Sequence, residues 1–401
     1  MHPLMWFRRL WRASVWTLMA ALVPAAASGQ SELPARRLTG LVWGGEVAGT
    51  YSNPDRGTFF NYSDYEHDTL RQVRLRLMAE LRLPGRVDVL GEVRAENEAV
   101  DAPAVFLRWQ PWSGRQLHVQ AGRIPMVIGA FARRAYGSDN LLAGAPLVYQ
   151  YLTSLRPDAL PGTTDDLLRM RARGWRPSYP IGSDSAAPGL PLITYSRGDT
   201  GVVLQWTAER WTAAAAVTQG TAPDPRVRDN NDGLSLSARL AAVRPSGLTL
   251  GVSAARGAWV SRETEALVVP ASIARHNTQV LTGIDAEFAR GHWIVRGEWW
   301  HARYNVPTLS QRLFANAGFT EARYRFHPRW HLAARFDRLT FSEIEGVPQI
   351  STPWDAPVWR VEGALGFRVS RRLEVRGGWQ HNWRTTNRTR TRGFPTLQAL
   401  F

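Results

Sequence analysis

Apolar and polar residues alternate along most of the chain with a period of two. The clearest stretch runs from Arg71 to Leu83. Val73, Leu75, Leu77, Ala79, Leu81 and Leu83 take every second place, and Arg74, Arg76, Met78, Glu80 and Arg82 take the others. Successive strand side chains point to opposite faces, so this pattern predicts a strand with one apolar and one charged face. Pro84-Gly85 supplies a turn. Beyond it Val87, Val89, Gly91 and Val93 alternate with Asp88, Leu90, Glu92 and Arg94.

The unit recurs. Val280, Thr282, Ile284, Ala286 and Phe288 lead into Arg290-Gly291, and Trp293, Val295, Gly297 and Trp299 lead out. Trp330 to Phe336 leaves a turn at His327-Pro328-Arg329, and Trp359 to Val369 enters another at Ser370-Arg371-Arg372. Weaker copies flank Glu209-Arg210 and Arg244-Gly247, and Pro111-Gly114 makes one more tight turn. Later turns fall near 209, 245, 290, 328 and 371. That spacing leaves a long loop after each pair of strands, the asymmetry of short periplasmic turns and long extracellular loops in a membrane barrel. Sandwich strands would turn every 8–12 residues. A propeller blade repeats at about 40 residues but would not set Arg and Glu along one face of nearly every long strand.

Aromatic residues sharpen the choice. Trp206, Trp211, Trp293, Phe326, Trp330 and Phe367 sit beside short turns, while Tyr51, Trp259, Trp299, Tyr304, Phe341, Trp359 and Trp379 sit toward the loop ends. Two such rows are expected as girdles at the two membrane interfaces. The fold class expected is all-β: a closed antiparallel transmembrane β-barrel of 16 to 18 strands. The first strand falls at Leu38–Tyr51 and the last at Thr391–Phe401. The strand count turns on 165–200, where 168–175 reads as a candidate strand.

The N-terminus is read differently. Arg8, Arg9 and Arg12 precede an apolar run from Ala13 to Val23, then Pro24 and small residues through Gly29. This is the three-part pattern of a secretory signal peptide, expected over 1–29, with the barrel over 30–401.

The 401 residues include no cysteine, which excludes disulfides and thiolate metal sites, and no further apolar run long enough for a spanning helix. All 49 basic residues are arginine, against 34 acidic ones, a net charge of +15. A nucleic-acid binder would gather these in one patch, whereas here they are distributed strand by strand among carboxylates. No Gly-x-Ser-x-Gly is present, and the histidines are scattered, so no catalytic residue, metal site or cofactor is expected.

The chain closes with Leu397, Ala399, Leu400 and Phe401. A last strand ending in an aromatic residue resembles the signal that barrel-insertion machinery reads in bacterial porins. In length, arginine-rich face and final strand the chain resembles general porins and the phosphate-selective porins. The resemblance implies a water-filled channel in the outer membrane of a Gram-negative type of cell. It also implies passive diffusion of small anionic or neutral solutes, contact with outer-membrane lipid and lipopolysaccharide, and a homotrimer. The absence of lysine departs from phosphate-selective porins, so phosphate itself is not implied.

The alternation assigns Arg74, Arg76, Arg82, Arg94, Arg108, Arg239, Arg296, Arg323, Arg325, Arg335, Arg360, Arg368 and Arg376 to the lumen face, with Glu80, Asp88, Glu92, Asp285, Glu287, Glu298, Glu321, Asp337, Glu362 and Glu374. Charges facing lipid at the midplane would cost about 2–4 kcal/mol each. Most of these arginines are expected to pair with carboxylates on neighbouring strands. Any surplus would favour anions. Between Gly129 and Asp166 the alternation lapses. That segment carries Arg133, Arg134, Asp139, Arg156 and Asp158, and long irregular loops are usually functional. It is expected to fold into the lumen and constrict it, with an outward-facing surface loop as the alternative. Arg384, Arg388, Arg390 and Arg392 are placed in the last loop, to bind anionic lipopolysaccharide groups or simply be solvated.

Overall fold

The computed structural model describes residues 40–53, 60–61, 68–97, 99–174, 178–185, 188–226, 229–231, 233–268, 277–385 and 390–400. The segment read as a signal peptide and the terminal Phe401 lie outside the described residues, as does Arg388.

Sixteen strands close into one antiparallel barrel. In chain order they are β1 (Gly40–Thr50), β2 (Gln72–Leu83), β3 (Val87–Glu96), β4 (Ala99–Trp109), β5 (Gln116–Ile124), β6 (Asp199–Thr207), β7 (Trp211–Thr218), β8 (Ser235–Val243), β9 (Leu248–Ala258), β10 (Thr278–Arg290), β11 (Trp293–Tyr304), β12 (Leu313–His327), β13 (Trp330–Phe341), β14 (Val358–Arg368), β15 (Leu373–Arg384) and β16 (Arg390–Leu400). Each pairs with its neighbours in sequence. The ring shuts where β1 meets β16 in the register Glu46↔Leu400 to Thr50↔Thr396. Closure satisfies every strand edge, the condition for sheet in a bilayer. An 11-residue strand such as β1, tilted by about 40°, spans roughly 28 Å, a hydrocarbon thickness.

Turns at one end are tight: 84–86, 208–210, 244–247, 291–292, 328–329 and 369–372. Arg86, Gly247 and Gly291 take positive φ there, as such turns require. At the other end the connections 51–71, 125–198, 219–234, 259–277 and 342–357 are long, although β3 and β4 join through 97–98 alone. Among the described residues, the candidate strand at 168–175 is not one: no described residue of 125–198 belongs to a barrel strand, 170–174 are turn and irregular, and Thr164–Arg169 is a short helix. Thr163 and Asp166 form a reciprocal capping box at its start, a local stop on strand geometry.

The outer face is apolar and exposed. Leu204, Leu240, Leu250, Ile284, Leu332 and Leu365 stand out from it, a continuous surface far larger than water-soluble proteins carry. Trp206, Trp211, Trp293, Phe326 and Trp330 form an exposed row beside the tight turns, and Trp299 and Trp379 stand exposed toward the loops. Trp259, Tyr304 and Phe341 are buried instead. Strand parity turns Tyr304 and Phe341 inward, so the second girdle is sparser than the sequence suggested.

A candidate channel interior

The segment 125–198 packs on the inner face. It contacts β1, β3, β9, β10, β11, β13, β14 and β15, which lie around the whole ring, and only a segment inside a closed barrel can reach them all. Entry begins where Pro125 ends β5 and Gly129 takes a φ of 68°. The Gly129 amide donates to Ser253 Oγ on β9 at 3.1 Å. The next two amides, of Ala130 and Phe131, both donate to Glu298 Oε1 on β11 at 2.7 Å. The other oxygen of Glu298 accepts from Tyr149 Oη at 2.5 Å and Trp300 Nε1 at 2.9 Å. One buried carboxylate therefore holds four donors. Burial, reinforced by the Glu298 charge, pushes the Tyr149 phenol well above its ordinary range. It stays a donor.

Farther along, wall and segment exchange bonds in both directions. Arg376 Nη1 donates to the Asn140 carbonyl at 2.9 Å, Arg335 Nη2 to that of Gly144 at 2.7 Å, and Arg360 Nη1 to that of Ala145 at 2.9 Å. In return the Leu147 amide donates to Asp337 Oδ1 at 3.1 Å and the Gly144 amide to Glu362 Oε1 at 3.3 Å. Gly137, at a φ of 72°, lies so close to Glu46 that a Cβ there would run into its carboxylate. Asp355, between β13 and β14, pins the far part of the segment. It accepts from the amides of Ser154 and Ala172 at 2.7 and 2.9 Å and from Ser154 Oγ at 2.9 Å.

The arginines assigned to the inner face divide into three groups. Arg335, Arg360 and Arg376 are buried beneath the segment. Arg335 is ringed by Glu362, Glu321 and Asp337 at 2.9, 3.3 and 3.5 Å. In the second group, on the opposite wall, Arg74, Arg76 and Arg94 converge on Tyr136 with guanidinium carbons 4.4, 5.7 and 3.8 Å from its ring centre. Glu92 takes bonds from Arg76 and Arg94 at 3.0 and 2.6 Å. Arg82 pairs with Glu80 at 2.8 Å, Arg239 with Asp285 at 2.5 Å and Arg296 with Glu287 at 3.2 Å. Arg108 reaches Glu80 at 3.9 Å. The third group, Arg323, Arg325 and Arg368, stays half-buried near the tight turns with no carboxylate within ion-pair distance among the described residues. Glu374, the nearest acid, is bonded to Arg376 at 2.5 Å.

The loop residues named from sequence also separate. Arg134 pairs with Glu287 on the wall. Arg133 is exposed and bonds the Gly129 carbonyl at 3.3 Å. Asp139 is exposed, and its backbone carbonyl, rather than its carboxylate, meets Arg296 at 2.6 Å. Arg156 and Asp158 bond each other at 2.8 and 2.9 Å and brace the segment itself. Arg384 is not in a solvated loop. It is the last residue of β15, buried, with its guanidinium 5.0 Å from the Phe60 ring centre. Arg390 and Arg392 belong to β16. Among the described residues no cluster of three or more His, Asp or Glu side chains could hold a metal.

One property escaped the alternation. On β9 to β13 the loop-end half of the inner face is apolar: Ala255, Leu281, Trp300, Ala302, Ala317, Phe319 and Leu339 pack with Ile128, Phe131 and Tyr149 of the segment. A lumen ionic along its whole length was expected. The interior instead is apolar at the loop end of β9 to β13 and charged elsewhere, in part beneath the segment. Inward apolar residues carry the same period-two signature as a strand buried on both faces, so the alternation could not tell whether water or protein covers them.

No family model matches the sequence, and no curated protein does. Solved structures do. Salmonella typhi OmpF in complex with daunomycin aligns with a TM-score of 0.55 and 8% identity, covering 90% of this chain and 98% of that one. The fold is that of the outer-membrane porin barrels. The anion-selective porin of Comamonas acidovorans gives 0.54 and 9%, covering 91% and 100%. The trimer form of OmpT, an outer membrane protein of Vibrio cholerae, gives 0.50 and 10%, covering 91% and 99%.

Proposed function

We propose that the chain is an outer-membrane porin of the Gram-negative type, exported by its first 29 residues, that lets small hydrophilic solutes diffuse through a narrowed lumen with a modest preference for anions. The observation that carries the preference is the arginine surplus at the tight-turn mouth. Arg323, Arg325 and Arg368 are half-buried with no carboxylate within ion-pair distance among the described residues, and Glu374, opposite Arg368 in register, is already bonded to Arg376, while the deeper arginines are neutralised by acids or by the inserted segment. Guanidinium groups keep their charge at any physiological pH and favour oxyanions. A positive ring at a pore mouth raises the local anion concentration and repels cations.

Residues 129–166 are the constriction in this reading; Arg335, Arg360 and Arg376 anchor it to the wall, and the other ten inward arginines line the path around it. Insertion machinery would read the C-terminal strand ending in Phe401. The trimer form seen for one structural neighbour supports a homotrimer here. The scattered histidines support a role without catalysis.

Single-channel conductance tests the constriction. Deleting Asp139–Asp158 removes the stretch that meets Arg335, Arg360 and Arg376, and conductance should rise severalfold. Unchanged conductance in a correctly folded barrel would overturn it.

A further inference from the structure

Toward the loop end of β9 to β13, four arginines face away from the lumen. Arg256 on β9, Arg312 just before β12 and Arg338 on β13 are exposed, and Arg303 on β11 is half-buried. Parity fixes their direction. Ala255, Ala302, Leu313 and Leu339, their immediate neighbours in sequence, are buried on the inner side. None of the four has a carboxylate within ion-pair distance among the described residues. Arg123 on β5 shows the alternative, with both oxygens of Asp101 at 2.8 and 3.2 Å.

The register gathers three of them. Arg256 and Arg303 both lie opposite Val280, one on each side of β10, which sets their backbones about 10 Å apart. Arg303 lies opposite Phe314, two residues from Arg312. Beneath them the side chains form a fixed shelf. His301 stacks between Trp299 and Phe314, with ring centres 6.3 and 5.6 Å apart, and its Nδ1 is 2.9 Å from Asn316 Oδ1. Arg303 stands four residues beyond Trp299 on the same strand, toward the loops. Aromatic rings of this kind mark the level of the headgroups, so the three guanidinium groups lie at or just above that level, at the loop end.

An unpaired charge on the lipid side of a barrel is unfavourable except at the interface. Three in one patch are favourable only where the lipid supplies the counter-charge. Guanidinium forks match phosphate with two parallel hydrogen bonds each. We infer that Arg256, Arg303 and Arg312 form a binding site on the outer wall for the phosphate groups of an anionic outer-leaflet glycolipid, with Trp299, His301 and Phe314 packing beneath its headgroup. Arg338 stands lower on the same wall, where it can meet a second phosphate. The site is independent of conduction, so it survives or fails separately from the channel reading.

Native mass spectrometry of the detergent-solubilised mature protein, titrated with lipid A and separately with phosphatidylethanolamine, tests the inference. The wild type should retain lipid A in preference to phosphatidylethanolamine, and Arg256→Ser/Arg303→Ser/Arg312→Ser should bind it about tenfold more weakly or worse. A triple Lys variant should recover part of the loss, because it keeps charge without the fork. Heat-modifiable gel mobility checks folding, and single Ser variants serve if the triple one does not fold. Equal binding by wild type and Ser variants would overturn the site. So would the absence of any preference for lipid A in the wild type. Complete displacement by millimolar inorganic phosphate would reassign it to free anions.

Discussion

Glu298 concentrates on one carboxylate the bonds that start the inserted segment. Replacing it with Leu leaves the Ala130 and Phe131 amides, the Tyr149 hydroxyl and the Trp300 ring N–H without their acceptor. Each unsatisfied buried donor costs about 1–3 kcal/mol, so Glu298→Leu should release the segment. Protease cleavage within 129–166 should rise by at least an order of magnitude while the barrel keeps its compact mobility. Arg335→Met should strand Glu321, Asp337 and Glu362 in the interior. Breaking such a buried network costs about 3–5 kcal/mol, to be read as a lower melting temperature of that mobility. Burial also pushes the phenols of Tyr136, Tyr149 and Tyr151 well above 10. Because the neutral form is the one favoured inside, their contribution is full below pH 10 and declines as the pH climbs beyond it, when the undocked state ionises first. Ultraviolet titration should therefore find these three tyrosines silent until the segment lets go. At this scale the sequence did not show what each inner arginine meets, because alternation reports a face and not a neighbour.

Among the elements, the strands were legible and the inserted segment was only half so. Strong alternation around Pro84-Gly85, Arg290-Gly291 and Ser370-Arg372 located β2/β3, β10/β11 and β14/β15 because lipid and lumen impose opposite demands on successive residues. The stretch at 168–175 misled because a short amphipathic run fits a strand. The capping box at Thr163 and Asp166 marks a helix over Thr164–Arg169 that ends within the run, and 170–174 continue as turns. The loss of alternation after Gly129 marked the segment, while its docking depends on turns that only particular glycines permit. Gly137 combines a φ of 72° with the closeness of Glu46. Gly137→Val should strain the backbone by about 1–3 kcal/mol and displace the segment from β1. Faster protease cleavage near residue 137 would register this, and an unaltered digestion pattern would count against that docking.

Across the whole molecule, two solvents shape the chain. Hydrocarbon selects the outer rows, and the inserted segment covers much of the inner face. The net charge of +15 does not translate into a uniformly positive lumen, because most inner arginines are matched by carboxylates or backbone carbonyls. In the proposed channel, what is left over at the tight-turn mouth sets the selectivity. The zero-current potential of single channels across a planar bilayer, under a tenfold potassium chloride gradient, reads that remainder directly. The account predicts a potential of the sign given by chloride moving more readily than potassium, falling toward zero in Arg323→Ser/Arg325→Ser/Arg368→Ser. A cation-favouring potential, or a folded barrel that passes no current at all, would contradict it.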